Sequence, residues 1–172
     1  MDLARYIRDV PDFPKQGILF KDITPLIYDP EAFRESVRRL AEQVPKPEVV
    51  VAIESRGFLF GAPLAQLWNV PLVPARKFGK LPGKTVRQVY SLEYGEDTLE
   101  LHADALQPGQ RVVIVDDLLA TGGTAAATVA LVRQLGAEVV ATLFVVELEG
   151  LGGRARLSPT PVHALMAFEV HE

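Results

Sequence analysis

The stretch that decides the fold runs Arg111-Val-Val-Ile-Val-Asp116-Asp117-Leu-Leu-Ala120-Thr121-Gly122-Gly123-Thr124. Its wholly apolar part predicts a strand over Val112–Val115, of the kind that is covered on both faces of a sheet. Two adjacent carboxylates end this strand, and a short loop leads to a glycine pair. A helix is predicted next, over Thr124–Leu135, with Gly136 as its C-cap. A buried strand followed by a helix is the building unit of a parallel α/β sheet.

The same alternation of strands and helices extends through the chain on both sides. Further strands are predicted at Val49–Ile53, Leu72–Ala75, Val139–Leu148 and Ala164–Phe168, and further helices after Asp29-Pro30-Glu31 and over Phe58–Trp68. This pattern predicts the α/β class, with helices on both faces of a parallel sheet. Two segments depart from it. Alternating residues in 98–102 predict a hairpin with Val89–Glu93 across Tyr94-Gly95-Glu96-Asp97, and Phe13–Leu26 predicts an irregular flap or small subdomain.

Composition narrows the class of protein. The chain has 172 residues, 48% of them hydrophobic and 23% charged, which fits one domain with a substantial core. Its formal net charge of -4 disfavours a nucleic-acid-binding surface, and the absence of cysteine excludes disulfides and a cysteine nucleophile. The apolar stretch Val139–Val146 is too short to cross a bilayer, and Met1–Arg8 lacks the apolar core of a signal peptide. We therefore expect a cytoplasmic protein without membrane or nucleic-acid partners.

The loop after the two carboxylates has the features of a phosphate cradle. Gly122 and Gly123 can expose backbone N–H groups, and the following helix presents its positive end. Thr121 and Thr124 add hydroxyl donors. The paired acids suit a ribose diol and could also hold Mg²⁺, directly or through water. A lone Gly-Gly-Thr is more often an ordinary turn, whereas the whole run gives each position a separate role.

Cations form a second candidate feature. Between Arg76 and Arg87 five cations occur with no intervening acid, and Gly79, Pro82 and Gly83 resist regular structure. A solvated loop is the commoner meaning of such a run, but a lid over a polyanion also fits it. Arg56 follows the predicted strand Val49–Ile53, and its guanidinium offers a planar fork of donors to pyrophosphate oxygens.

Several segments together resemble one known family. Val112–Thr124 resembles the binding motif for phosphoribosyl pyrophosphate (PRPP) of the type I phosphoribosyltransferases, in the form typical of those that use adenine. Other segments are similar to further parts of that family and follow in its order: Phe13–Pro25 to the base-binding hood, Glu54–Gly61 to the pyrophosphate loop, Arg76–Gly83 and Tyr90–Gly95 to the mobile catalytic loop, and Val146–Leu148 to the segment that closes over the base. The resemblance spans nearly the whole chain. It implies the type I phosphoribosyltransferase fold, with a hood contributed mainly by residues 11–27, and a homodimer.

The resemblance also implies a reaction and a set of residues. PRPP and adenine would give AMP and pyrophosphate, with Mg²⁺ arriving on PRPP and Glu93 acting as acid–base at N7 of the purine. The implied residues are Glu93 and Arg56 for catalysis; Ala120, Thr121, Gly122, Gly123 and Thr124 for the phosphate; Asp116 and Asp117 for the ribose and, as an alternative to a metal held by PRPP alone, for Mg²⁺; Ser55, Arg56, Arg76, Lys77 and Lys80 for pyrophosphate; Leu19, Phe20, Lys21 and Leu148 for adenine; and Tyr94 in the loop. A non-proline cis peptide just before Arg56 is also implied.

Alternatives stay open at this level. Phe20 and Leu148 suit a core as well as a purine sandwich, and backbone groups near Leu19 and Lys21 would have to distinguish adenine from other bases. A phosphoribosyltransferase for hypoxanthine, guanine or xanthine is the alternative enzyme. A regulator that senses PRPP or purines on the same fold is the alternative outside enzymes, although the acidic chain and Glu93-Tyr94 favour catalysis.

Overall fold

The computed structural model describes residues 1–92 and 95–170. The strands are β1 Arg8–Pro11, β2 Leu19–Asp22, β3 Val49–Ile53, β4 Leu72–Lys77, β5 Thr85–Leu92, β6 Gly95–His102, β7 Arg111–Leu119, β8 Glu138–Glu149 and β9 Val162–Glu169. The α-helices are α1 Thr24–Tyr28, α2 Pro30–Glu42, α3 Gly57–Trp68, α4 Gly123–Gln134 and α5 Gly153–Leu157. The predicted α/β alternation is therefore confirmed. None of the helices in these described ranges is long and apolar enough to span a membrane.

The described residues form a seven-stranded sheet in the order β5-β6-β4-β3-β7-β8-β9. The five strands from β4 to β9 in this order run parallel, and β6 and β5 add an antiparallel edge. Alternate residues of β3 face opposite sides, so that Val49, Val51 and Ile53 pack towards α4 while Val50 packs towards α2 and α3. The sheet is thus buried on both faces, as the apolar runs predicted.

Local sequence signals account for the helix ends. Asp29 caps α2 with its carboxylate, which accepts a hydrogen bond from the N–H of Ala32 at 3.0 Å, and Pro30 occupies the first turn. Helix α4 ends at Gln134, and Gly136 shortly after it adopts a φ of +84°, as the predicted cap requires. These two helices lie on opposite faces of the sheet.

The hood is more regular than predicted. Within the expected irregular flap Phe13–Leu26, the structure forms β2 and the start of α1. Strand β2 pairs antiparallel with β1, from Arg8 opposite Asp22 to Pro11 opposite Leu19, so the hood begins before residue 11. Cross-strand ion pairs, Arg8 with Asp22 and Lys21 with Asp9, hold this small ribbon together.

The predicted lid is also largely regular strand. Arg76 and Lys77 belong to β4 and Arg87 to β5, so that 78–84 alone connects the two strands. The predicted hairpin is confirmed, but its boundaries were wrong. Pairing of β5 with β6 continues to Leu92 opposite Gly95, which places 95–97 in a strand rather than in the turn.

Candidate active site

A cavity of about 450 Å³ opens where β3 ends beside β7. Ligands of open α/β sheets bind in crevices at such strand ends. The cavity brings together the end of β3, the hairpin of β5 and β6, and the stretch from Asp116 to Ala125. Its lining residues are Glu54, Ser55, Arg56, Lys77, Tyr90, Leu92, Asp97, Leu99 and every residue from Asp116 to Ala125.

The two carboxylates lie inside β7, and not after its end as predicted. Strand β3 stops pairing at Ala52 opposite Val115, whereas β7 continues along β8 with Asp116 opposite Phe144. Asp116 and Asp117 therefore lie on the part of β7 that continues beyond the end of β3. The predicted pyrophosphate loop, Glu54–Gly61, lies next to them, and only a glycine fits at position 57, where a Cβ would lie 2.9 Å from the Val115 carbonyl oxygen.

An ion pair joins the predicted ribose and pyrophosphate residues. Arg56 donates from Nε to Oδ2 of Asp117 at 2.6 Å, and the N–H of Asp117 donates to Oδ1 of Asp116 at 2.8 Å. The Asp117 side chain is 7% exposed, while that of Arg56 is 49% exposed. A buried carboxylate therefore fixes one edge of the guanidinium and leaves its other donors towards solvent. The cis peptide is at Glu54–Ser55, one bond earlier than predicted.

The environment of Asp116 opposes its ionisation. Burial first, and then the neighbouring charge of Asp117, raise the pKa of Asp116 well above its usual range, although the Arg56 guanidinium offsets part of this effect. Since the pKa is higher in the folded protein than in the unfolded chain, ionising Asp116 destabilises the fold. Stability is lost as pH rises from the ordinary aspartate pKa through the raised one.

We expect Asp116→Asn to stabilise the protein near neutral pH while weakening ribose binding. Asparagine keeps an oxygen that accepts from the Asp117 N–H but never ionises. Each pKa unit corresponds to about 1.4 kcal/mol, and each kcal/mol to roughly 2–4 °C in Tm for a protein of this size. Calorimetry from pH 4 to 8 should show a Tm advantage that grows with pH. Glu48→Gln is the control with opposite sign, because Arg111 lowers the pKa of Glu48.

The predicted phosphate loop has its donors available. Gly122 is the N-cap of α4 with a φ of +86°, and its carbonyl accepts from the N–H of Ala126 at 2.8 Å. Within residues 1–92 and 95–170, nothing accepts a hydrogen bond from the backbone N–H groups of 121–124. These amides line the cavity. A helix N-terminus with free N–H groups is a favourable place for a phosphate.

The predicted pyrophosphate cations gather around a residue that sequence reasoning missed. Glu54 accepts from Nε of Arg76 at 3.1 Å and from the N–H of Lys77 at 3.0 Å, and Nζ of Lys80 lies 3.3 Å from its other oxygen. Lys77 also pairs with Asp97 at 3.3 Å. The position of Glu54 directly after the apolar strand was the signal that could have identified it.

The hairpin contributes a tyrosine to which the sequence assigned no role. Tyr90 is buried, lines the cavity and lies near Gly123 and Asp97, with 3.4 Å between its hydroxyl and the Asp97 carboxylate. Burial raises the pKa of Tyr90, so its hydroxyl stays a proton donor at neutral pH. The predicted residues Glu93 and Tyr94 lie outside the described residues.

The predicted adenine residues lie beside the cavity and not in its lining. Phe20 packs edge-on against Phe13, and the Arg56 guanidinium is 5.7 Å from the Phe20 ring. Lys21 lies over the ring of Phe168 at 4.4 Å, and Phe168 pairs with Leu148 across β8 and β9. The backbone of Leu19 lies on the same short strand, and its side chain is 52% exposed. Arg56 thus lines the cavity and also lies near Phe20, one of the predicted adenine residues.

The phosphoribosyl transferase domain is recognised over residues 27–161, so the chain has the fold of the phosphoribosyltransferases. Adenine phosphoribosyltransferase of Carboxydothermus hydrogenoformans is 58% identical, over 98% of this chain and 100% of that protein. The enzyme of that name from Thermoanaerobacter pseudethanolicus matches in structure with a TM-score of 0.94 at 51% identity, covering 97% of this chain and 98% of that one. The Saccharomyces cerevisiae enzyme, solved with adenine and an imino-altritol bisphosphate, gives 0.90 at 42% identity, covering 95% and 96%. The chain belongs to the adenine phosphoribosyltransferase family.

Proposed function

We propose that this chain transfers the phosphoribosyl group of PRPP to N9 of adenine, giving AMP and pyrophosphate. The observation that carries the proposal is the row of available N–H groups at 121–124 beside paired carboxylates in one cavity. Glu54 lines the same cavity and holds the cation cluster next to it. Each group of side chains matches one part of PRPP. The 5-phosphate fits the helix N-terminus, the ribose diol fits Asp116 and Asp117, and the pyrophosphate fits Arg56 and the cations near β4.

The reaction depends more on stabilising the charges that develop on the sugar and the leaving group than on covalent catalysis by a side chain. The bond from ribose C1 to the pyrophosphate oxygen breaks, the bond from C1 to N9 forms, and adenine loses one proton. Negative charge grows on the leaving group, which Arg56, Arg76 and Lys80 would stabilise at close range. Positive charge develops on the sugar, and the carboxylate of Asp117, which lines the cavity, would favour it. Glu93 is the proposed group that takes the adenine proton.

Mg²⁺ fits the donor chemistry of this site. Asp116 and Asp117 present carboxylate oxygens on the cavity, and Mg²⁺ usually takes only one or two carboxylates from a protein when phosphates supply other ligands. When bound with PRPP, the ion would neutralise charge on the departing pyrophosphate. Homodimeric assembly, taken from the family resemblance, and a cytoplasmic location, expected from the sequence, are further parts of this proposal.

Adenine should be strongly preferred over 6-oxo purines. If backbone groups of β2 read the edge of the base, a 6-oxo purine leaves a buried group unpaired, which can lower kcat/KM by about 10⁴-fold. Turnover with PRPP, Mg²⁺ and a panel of adenine, hypoxanthine, guanine and xanthine measures this directly, with pyrophosphate release as the readout. Comparable turnover with hypoxanthine would indicate a phosphoribosyltransferase for 6-oxo purines instead. No pyrophosphate release with any purine would favour a sensing role.

A further inference from the structure

Glu54 occupies the centre of the cation cluster. It follows β3 directly and lines the cavity, yet its side chain is only 8% exposed. One of its carboxylate oxygens contacts Arg76 and the Lys77 N–H, and the other contacts Lys80. Both charged partners are candidates for pyrophosphate binding. An anion supplied by the protein therefore already engages the cations that the substrate's anion would need.

Glu54 is charged when it contacts Arg76 and Lys80, and both of these side chains remain accessible to an incoming anion. Burial alone would raise the pKa of Glu54, but the Lys77 N–H, Lys80 and Arg76 outweigh burial and lower it, so Glu54 is charged at neutral pH. The side chains of Arg76 and Lys80 stay 34% and 50% exposed, so an incoming anion can reach them. After such an exchange, Glu54 would still accept from the Lys77 N–H, and no buried carboxylate would be left without a donor.

We propose that Glu54 is an internal counter-anion, which holds Arg76 and Lys80 while the site is empty and yields them to the pyrophosphate group of PRPP. The inference rests on the proposed function of this site. Pyrophosphate can displace the carboxylate because it carries more charge and more acceptor oxygens. Glu54 then acts as a positioning residue, since it lines the cavity, keeps both cations beside it and limits how tightly the pyrophosphate product is held.

Competition predicts an effect with an unusual sign. If Glu54 were only structural, its loss would misplace the cations and weaken pyrophosphate binding. If it competes for them, removing its charge should strengthen the binding. For one charge exchanged at partly exposed side chains, we expect the Kd of Mg-pyrophosphate to fall about three- to tenfold in Glu54→Gln, and the gain to shrink at high salt.

Titration calorimetry with Mg-pyrophosphate and, separately, AMP tests the inference. AMP lacks pyrophosphate, so its Kd should be the same in Glu54→Gln and the parent protein. Glu48→Gln is the matched control, because Glu48 also pairs with an arginine side chain and accepts a backbone N–H, from Arg111, but at the opposite end of β3. Its Kd values for both ligands should equal those of the parent.

The possible results distinguish failure of the counter-anion proposal from failure of the proposed function. An unchanged or larger Kd of Mg-pyrophosphate in Glu54→Gln, with AMP binding intact, overturns the counter-anion and leaves the proposed function standing. Failure of the parent protein itself to bind AMP overturns the proposed function instead. If Glu54→Gln does not fold, Glu54→Asp replaces it, because a shorter carboxylate holds the cations less well; its Kd for Mg-pyrophosphate should then lie below that of the parent, and a Kd at or above the parent's contradicts the proposal.

Discussion

Gly122→Ala should lower the affinity for AMP about a hundredfold while the protein still folds. Gly122 has a φ of +86°, which costs an alanine roughly 1–2 kcal/mol. A Cβ there would also lie 3.0 Å from the carbonyl oxygen of Gly153 and 3.1 Å from its Cα. Both neighbours are backbone, so this loop or Gly153 must give by a few tenths of an ångström. Misaligned hydrogen bonds to a charged phosphate can lose up to about 3 kcal/mol, which is roughly a hundredfold in Kd. Calorimetric titration with AMP measures the loss.

Gly109→Ala separates backbone strain from the clash. Gly109 has a similar φ of +81°, but a Cβ there would meet no atom within 4 Å. This control should lose a similar amount of stability through strain alone and keep the AMP affinity of the parent. If Gly122→Ala also binds AMP normally, the N–H groups at 121–124 do not hold the phosphate, and the assignment of this loop is wrong.

The sequence predicted the layers of the fold well because burial on both faces leaves an unmistakable pattern. Runs such as Val49–Ile53 are apolar at every position, and only a covered parallel strand explains them. The hood and the hairpin were predicted less well, since their strands are half exposed and mix polar with apolar residues. For such strands, pairing with a neighbour decides the structure, and pairing partners cannot be read from one segment alone.

The candidate site shows the same division. Gly122 and the carboxylates could be identified because they are adjacent in sequence and each needs its residue type for a local reason. The cationic partners of Glu54 could not, because Arg76 and Lys80 lie 22 and 26 positions away and meet it only when β3 and β4 pair. The placement of the acids within β7 was missed for a similar reason, since it depends on the continued pairing of β7 with β8 beyond Val115.

Glu93→Gln should lower kcat by about 10²- to 10⁴-fold, the usual range for loss of a general acid–base. Leu92, the residue before Glu93, lines the cavity, and it pairs with Gly95 at the end of the hairpin. Glutamine is close in size to glutamate but cannot take the proton that adenine loses. Because PRPP binding uses other groups, its KM should change much less than kcat. Steady-state turnover with adenine and varied PRPP separates the two constants.

Glu96→Gln is the matched control for this prediction. Glu96 lies on the same hairpin, opposite Ser91, but its side chain is exposed and outside the cavity lining. Its kcat should equal that of the parent. Equal turnover in Glu93→Gln and the parent would remove Glu93 from proton transfer. A raised KM for PRPP with unchanged kcat would make Glu93 a binding group, because an interaction that serves the transition state alone must appear in kcat.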